Sequence, residues 1–356
     1  MAVLNEEQEM LRDMARNWTT NESPVSEFRK VRAKGDPEAF DRSAFAAMAE
    51  MGWTGVIVPE EYGGSDFGWL SAGLVIEELG KTLTASPLIA TTIAASAILI
   101  GGSEEQKAKW LPGIVSGETI ATLAIDETAK HGGGDLATQA SDGKLSGTKA
   151  FVHEAHGADL FVVAARDGLY LVEKGEGVSL STRALADQRS HAEVNFESAA
   201  AEKLASGGEA LLDEVLDRAR ILTACEMLGM AQAIFDMTLD YLKQRVQFNQ
   251  VLATFQALQH RMADLFGDLA MMRSAVEGGL QALDSGFGVP RAAAVAKAEA
   301  NRVLHLLSRE GIQLHGGIGM TDEYDVGLYL KRSRVLEASW GSTSLLKDRF
   351  AKINGY

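Results

Sequence analysis

The sequence predicts an α+β fold in three regions, which are helical, β-rich and again helical along the chain. Its 356 residues exceed what one ordinary hydrophobic core holds. Apolar residues recur at helical spacing near both ends, whereas short β-prone runs separated by Gly, Asp and Asn fill the middle. We therefore predict a helical domain at 1–118, a β domain at 119–206 and a second helical domain at 207–356.

The first two regions contain recognisable local signals. Asn5 and Gln8 have the spacing of a capping box, which predicts the start of a helix. The stretch SPLIATTIAASAILIGG is the most apolar of the chain, but its small residues and threonines favour a buried helix over a membrane span. The runs DLFVVAAR, GLYLVEK and AEVNFES predict strands of a small sheet domain.

The C-terminal region is predicted to contain four helices. Residues 211–245 carry a strong apolar stripe, and a second helix spans roughly 254–284. Pro290 is placed as the first-turn proline of a third, Ala-rich helix. A last helix is expected from about Ser342.

Composition excludes several classes of function. With 34 basic and 49 acidic residues the net charge is −15, which argues against binding nucleic acid or an anionic membrane through bulk charge. Cys225 is the single cysteine, and His153 and His156 lack a third ligand nearby, so no metal site is predicted. The N-terminus does not resemble a signal peptide, and we expect a cytoplasmic protein with no membrane span.

One glycine-rich segment points to a ligand. In GIQLHGGIGMTDEYDVGLYLKRSRV, residues 311–335, several glycines follow a helix and would allow a phosphate or a sugar to approach bare backbone. By spacing alone, a helix stop followed by a tight turn is the commoner explanation.

Five segments, in order along nearly the whole chain, resemble the acyl-CoA dehydrogenase family. They are MGWTGVIVPEEYGGSDFG, EEQKAKWLPGIVSGETIATLAIDE, LSGTKAFVHEAHGADLFVVAAR, YLKQRVQFNQVLATFQALQHRMAD and GIQLHGGIGMTDEYDV. The resemblance implies an N-terminal helical domain, a middle β-barrel-like domain and a C-terminal four-helix bundle. It also implies FAD, an acyl-CoA thioester and assembly as a dimer of dimers.

The resemblance also implies which residues contact FAD. In the family, an R-x-x-F-G loop reaches across the dimer interface to the pyrophosphate of the neighbour's FAD, and the glycine motif approaches its adenosine half. The residues of this chain that match those motifs are Arg245, Phe248, Gln313, Gly316 and Gly317. A guanidinium fork suits a pyrophosphate. Asn249 stands where the family has glycine.

Neither of the two positions at which the family carries its catalytic carboxylate holds an acidic residue in this chain. One is Trp340, before Gly341, and the other is Ala219, before Arg220, and neither side chain can accept a proton. Arg220 is carried over as a substrate contact. Glu226, seven residues after Ala219 on the same helix face, is a weaker candidate base that we expect to be paired with a lysine or arginine.

Other departures fall on the part of the flavin site that each subunit makes for itself. In AIDETAKHGGGD, Asp126 replaces a threonine and Gly134 replaces a serine, while Phe151 and His153 replace a tryptophan and a threonine. A carboxylate at position 126 would repel an anionic reduced flavin. Glu337 is another candidate base, with weaker support than Glu226.

We therefore predict a subunit of an FAD-dependent oxidoreductase that dehydrogenates an acyl-CoA at its α,β carbons. It would supply FAD contacts to a paralogous catalytic subunit in a dimer of heterodimers, as in heterotetrameric steroid-degrading enzymes, with electron-transfer flavoprotein as acceptor. One alternative is a self-sufficient homotetramer with a relocated base such as Glu226. Others are a non-catalytic acyl-CoA-binding scaffold and an amine or nitro-compound flavoenzyme. The sequence leaves the acyl group open.

Overall fold

A computed structural model describes residues 3–132, 135–206 and 208–356 of the chain. It confirms the predicted fold class, because helices at both ends enclose a middle β region along the sequence. The helices are α1 (Glu6–Asn21), α2 (Val25–Lys34), α3 (Arg42–Glu50), α4 (Gly68–Lys81), α5 (Leu88–Gly101), α6 (Glu104–Val115), α7 (Glu209–Gln244), α8 (Gln256–Ser285), α9 (Val289–His315), α10 (Val326–Ala338) and α11 (Thr343–Ile353).

The strands of the middle region come before α7, and one small hairpin follows it. They are β1 (Ala121–Ala124), β2 (Gln139–Ser141), β3 (Lys144–His153), β4 (Leu160–Ala165), β5 (Gly168–Glu173), β6 (Val178–Thr182), β7 (His191–Ala200), β8 (Glu202–Lys203), β9 (Val246–Gln247) and β10 (Gln250–Val251).

The chain folds into two compact units. One contains the chain up to Val25 together with Gly73–Thr84 and Arg220–Tyr356. The other contains Ser26–Ala72 and Ala85–Ala219. Helices α4 and α7 therefore contribute residues to both units. The three domain boundaries drawn from the sequence remain a prediction.

The unit that holds the β region contains two four-stranded sheets. One has the order β1-β4-β5-β8, with β1 parallel to β4 and the other pairs antiparallel. The other has the order β2-β3-β7-β6 and is antiparallel throughout. Every residue of β4 is buried, which explains its unbroken apolar sequence. Helix α5, buried along most of its length, packs against β1.

The C-terminal helices form the core of the other unit. Helix α9 packs against α8, α10 and α11, and its apolar stripe supplies most of the buried contacts. Gly311 of α9 allows close contact with α7, because a methyl group there would lie 2.9 Å from Ile234. A bulkier residue at this position would push the two helices apart.

The predicted element boundaries agree closely with the structure. Asn5 and Gln8 form the predicted capping box at the start of α1, with a 2.8 Å hydrogen bond from the Gln8 amide to Asn5 Oδ1. Pro290 lies in the first turn of α9, as predicted. Helix α10 was not anticipated from the sequence. Within the described ranges, none of the helices combines the length and the apolar character that crossing a membrane requires.

Candidate functional site

The RVQF segment forms a hairpin that directly follows α7. Strands β9 and β10 are joined by Phe248 and Asn249, whose φ angles are +50° and +61°. Positive φ at both central residues is the geometry of a tight two-residue hairpin turn, which asparagine tolerates well. Asn249 therefore takes the backbone conformation for which a glycine would ordinarily be used.

The hairpin presents Arg245 and Phe248 to solvent. Phe248 is 83% exposed, although its ring makes an edge contact with Phe255 at 6.1 Å between centroids. Arg245 is exposed, and its guanidinium makes no ion pair or hydrogen bond to any other residue that the structure describes. A cation without a partner among the described residues and a largely exposed aromatic ring are thus held close together on a short hairpin.

An aromatic stack connects this hairpin to the glycine turn. The rings of Tyr241, on the last turns of α7, and His315, at the end of α9, lie 4.5 Å apart, and Tyr324 contacts both. His315 Nδ1 lies 2.7 Å from the Gly311 carbonyl oxygen, and burial lowers the pKa of the ring, which favours the neutral imidazole. The sequence analysis did not identify this stack.

The glycine turn itself is open. Gly316 has φ +65°, and a side chain at Gly316 or Gly317 would meet no atom within 4 Å. Gln313 is exposed on the last turn of α9. Since Tyr241 lies four residues before Arg245 and His315 directly precedes Gly316, the stack places the two predicted FAD-contacting segments beside each other.

The segment that carries Trp340 is fixed by buried hydrogen bonds. Trp340 has φ +59°, an unusual value for a bulky residue, and is only 7% exposed. Arg220 Nε donates to its carbonyl oxygen at 3.0 Å. Asn301 Nδ2 donates to the carbonyl oxygen of Gly341 at 3.3 Å. Arg220 is thus buried and hydrogen-bonded to the backbone at the predicted position of the base. Its contact with the substrate remains a prediction.

A buried lysine supports the same segment. Lys297 is completely buried on α9, and its Nζ donates to Asn301 Oδ1 at 2.5 Å and to the Leu336 carbonyl oxygen at 2.9 Å. Burial lowers the pKa of Lys297 to about 7. The sequence analysis missed this residue. Its burial could have been inferred from the sequence, because Lys297 stands inside the alanine-rich stripe of α9 and has Asn301 four residues later as a possible partner.

The two candidate substitute bases are both engaged by basic residues. Glu226 is buried and binds Arg332 through both carboxylate oxygens, at 2.8 Å and 3.0 Å. This is the pairing with an arginine or lysine that the sequence analysis expected. Glu337 lies 3.1 Å from His305 Nδ1 and 3.2 Å from Arg334. Neither carboxylate stands unpaired, as a proton acceptor in a substrate cavity would.

The segment at Asp126 also has internal partners. Asp126 Oδ2 lies 2.9 Å from His131 Nδ1, and the His131 side chain is nearly buried. The next residue, Glu127, is buried in part, which favours its neutral form, but hydrogen bonds from Lys149 and Thr138 prevail and lower its pKa to about 2. Gly134 lies outside the described residues.

These residues divide into a part that fits FAD and a part that does not. The hairpin and glycine turn offer an unpaired guanidinium and open backbone, which suit a dinucleotide pyrophosphate. Around Asp126, a carboxylate in contact with His131 stands where the resemblance to the family predicts a hydroxyl. An anionic group there opposes the negative charge of a reduced flavin.

Comparisons with known proteins cover almost the entire chain. The family model described as "Acyl-CoA dehydrogenase, N-terminal domain" matches residues 5–118, and "Acyl-CoA dehydrogenase, C-terminal domain" matches residues 206–353. The chain is 31% identical to acyl-CoA dehydrogenase IpdE2 of Mycobacterium tuberculosis, over 96% of this chain and 94% of that protein. It is 30% identical to an acryloyl-CoA reductase (NADH) of Anaerotignum propionicum, over 98% and 94% of the two chains.

A solved structure is also similar to this chain over nearly its whole length. The fold matches a variant of the Tcur3481-Tcur3483 steroid ACAD with a TM-score of 0.90 and 29% identity. The match covers 98% of each chain.

Proposed function

Because the chain belongs to the acyl-CoA dehydrogenase family, we propose that it is the non-catalytic subunit of a heteromeric, FAD-dependent acyl-CoA dehydrogenase. In this role, its hairpin and glycine turn complete the FAD site of a paralogous catalytic partner. The proposal is carried by one combination of features. Arg245 is exposed and has no partner among the described residues, while a buried tryptophan, Trp340, stands at the predicted position of the catalytic base.

The missing base is the first line of support. Removal of the α proton requires a carboxylate within hydrogen-bond reach of the α carbon. Trp340 and Ala219 cannot supply one, and the backbone hydrogen bond from Arg220 holds Trp340 in its buried position. The ion pair with Arg332 leaves Glu226 suited to a structural role.

The exposed hairpin is the second line of support. FAD would supply the hydride acceptor of the reaction, and its negatively charged pyrophosphate would be held by a cation in the partner's site. Arg245 supplies that cation at the start of the hairpin, and its guanidinium fork is available because it has no partner among the described residues. The open backbone at Gly316 and Gly317 allows close approach of the adenosine half.

Exposed apolar side chains support assembly. Phe266 and Met271 of α8 are 62% and 64% exposed, and Phe287, just after α8, is 87% exposed. Large apolar side chains concentrated on one set of elements mark interaction surfaces. We propose that a paralogous subunit covers these exposed side chains of α8 and of the segment just after it in a dimer of heterodimers.

The proposed substrate class is supported by one similar structure. The solved structure named as a steroid ACAD supports a bulky, steroid-derived acyl group on the CoA thioester. Electron-transfer flavoprotein is the proposed acceptor, and the cytoplasm is the proposed compartment. The rival function, a self-sufficient homotetramer, would require Glu226 to leave its ion pair with Arg332.

Activity measurements on the isolated chain and the pair test this proposal. The chain alone should show no dehydrogenation of acyl-CoA substrates, and co-expression with a paralogous catalytic subunit should yield an active complex. Restoring a carboxylate through Trp340→Glu should leave the isolated chain inactive, because Asp126 still opposes the reduced flavin. Turnover by wild-type chain alone would overturn the proposal, and turnover by the Trp340→Glu homomer would show that only the base is missing.

A further inference from the structure

A cavity of about 320 Å³ lies in the unit that contains the sheets. Apolar side chains form one part of its wall, and Trp69 and Leu99 are the largest of them. The polar part of the wall includes Ser96 and Arg218. No role in the proposed function involves this cavity, and the inference drawn from it does not rest on that function.

Arg218 lies against the cavity and has no anionic partner among the side chains that the structure describes. Its guanidinium stacks over the Trp69 ring at 5.6 Å, and Nη1 donates to the Glu214 carbonyl oxygen at 2.8 Å. Nε is buried and has no hydrogen-bond acceptor within the described part of the chain. Buried polar atoms are nearly always satisfied, so the guanidinium is left incompletely paired.

The position of Arg218 is energetically unfavourable for a bare cation. Burial lowers the pKa of its guanidinium, and the nearby charges of Glu214 and Asp217 only partly oppose this shift. Neither of those carboxylates forms an ion pair with it in the residues that the structure describes. An anion entering the cavity would relieve this cost directly.

The other charges around the cavity do not fill this role. Lys107 lines the cavity, but its Nζ is bound to Glu104 at 2.9 Å. Tyr62 also lines the cavity, and its hydroxyl donates to the same Glu104 at 2.7 Å. Glu61 lines the cavity and is exposed to solvent. Arg218 is therefore the cation of this wall that remains available.

The geometry points to a binding site for a small carboxylate with a hydrocarbon body. A guanidinium that lines such a cavity suits a carboxylate, because it can donate charge-assisted hydrogen bonds to the carboxylate oxygens. The apolar wall formed by Ile57, Leu99 and Ile100 suits a compact aliphatic or ring-shaped group rather than a bare inorganic anion.

Calorimetric titration of the full chain tests this site with two probes of the same shape. Cyclohexanecarboxylate carries the charge, and cyclohexanecarboxamide does not. The carboxylate should bind at least about ten-fold more tightly than the amide, as expected for a charge-assisted pair. Equal affinity of the two probes, or no binding of the carboxylate at millimolar concentration, would overturn the assignment.

Two variants locate the binding. Arg218→Gln should weaken carboxylate affinity at least about ten-fold. Lys107→Gln, which removes a cation from the same wall, should change it by less than about three-fold, because Lys107 is already paired. Circular dichroism of each variant establishes that the fold is intact. Unchanged affinity in folded Arg218→Gln, or equal losses in both variants, would contradict a site built on Arg218.

Discussion

At the scale of single residues, the proposed role rests on Arg245, as a contact to a neighbour's FAD, and on Trp340, at the predicted position of the catalytic base. Arg245 is exposed and unoccupied within the described residues, whereas Trp340 is buried at the position of the base. The two observations have different physical causes. Arg245 lies in solvent, where its guanidinium is free to bind a ligand, whereas the segment of Trp340 is held in the interior by hydrogen bonds from Arg220 and Asn301.

Arg245→Ala should weaken FAD retention by the heteromer roughly ten- to a hundred-fold, because a charge-assisted contact with the pyrophosphate is lost. Flavin absorbance after exhaustive dialysis of the purified complex measures this. Lys243→Ala provides a matched control, since Lys243 is an exposed cation two residues earlier. Equal flavin retention in the two variants would contradict the assigned contact.

Glu226→Gln should destabilise the chain without slowing turnover per bound FAD. Removing one partner of a buried ion pair leaves Arg332 uncompensated, at a cost of about 3–5 kcal/mol. Urea denaturation measures the loss, and the double variant Glu226→Gln, Arg332→Met should recover much of it. Loss of flavin bleaching by acyl-CoA, with normal FAD content and stability, would instead identify Glu226 as a base.

Lys297 should make stability depend on pH. Its pKa in the folded chain is about 7, below the ordinary value of 10.5, because burial disfavours the charged amine. Between these values the unfolded chain binds a proton that the folded chain does not, so the free energy of unfolding should rise with pH, at up to about 1.4 kcal/mol per pH unit.

Urea denaturation of wild type and Lys297→Met between neutral pH and pH 10 checks this effect. Below neutral pH the amine is protonated in both states, and the cost of its burial is fully present. The free energy of unfolding should rise less with pH in the variant, because the contribution of the Lys297 amine is absent. Parallel pH profiles for the two proteins would show that Lys297 titrates normally.

At the scale of elements, the hairpin after α7 holds the residues that would reach a partner. Its turn requires positive φ at Phe248 and Asn249. Asn249→Gly should therefore preserve the turn, whereas Asn249→Val should strain it by about 1–2 kcal/mol, because a β-branched residue is disfavoured in the left-handed region. FAD retention by the heteromer should fall with valine and hold with glycine. The same result for both variants would mean that the turn geometry does not matter.

The elements that the sequence predicts well are those with a strong local signal. The capping box at Asn5, the proline at the start of α9 and the apolar runs of β4 and β5 each satisfy their own local rules. The hairpin was missed because neither Phe248 nor Asn249 is a glycine. The usual glycine of a two-residue hairpin turn is absent from the sequence, and a phenylalanine with positive φ is not expected from local residue preferences.

The candidate site was harder to predict because its contacts join residues that are distant in sequence. Arg220 is bonded to Trp340, and Lys297 supports the Leu336 carbonyl. Only the packing of α9 against α10 brings the latter pair together. The sequence predicts that Glu226 pairs with a basic residue, because a buried carboxylate needs a cation. It does not predict which basic residue this is, and the structure identifies Arg332.

At the scale of the whole molecule, the central claim is that this subunit contributes to a partner's FAD site and does not hold FAD in its own. The fold belongs to a family of FAD-dependent dehydrogenases, and both family domains are present. A complex of this chain with a catalytic paralogue should then contain half the flavin that its number of subunits would suggest.

Native mass spectrometry of the co-expressed complex measures this directly, because it reports subunit composition and the number of bound FAD molecules together. The account predicts a dimer of heterodimers with one FAD for each heterodimer, and half the retained flavin or less when Arg245→Ala replaces the wild-type chain. One FAD per subunit in that complex, or a flavin-loaded homotetramer of this chain alone, would contradict it.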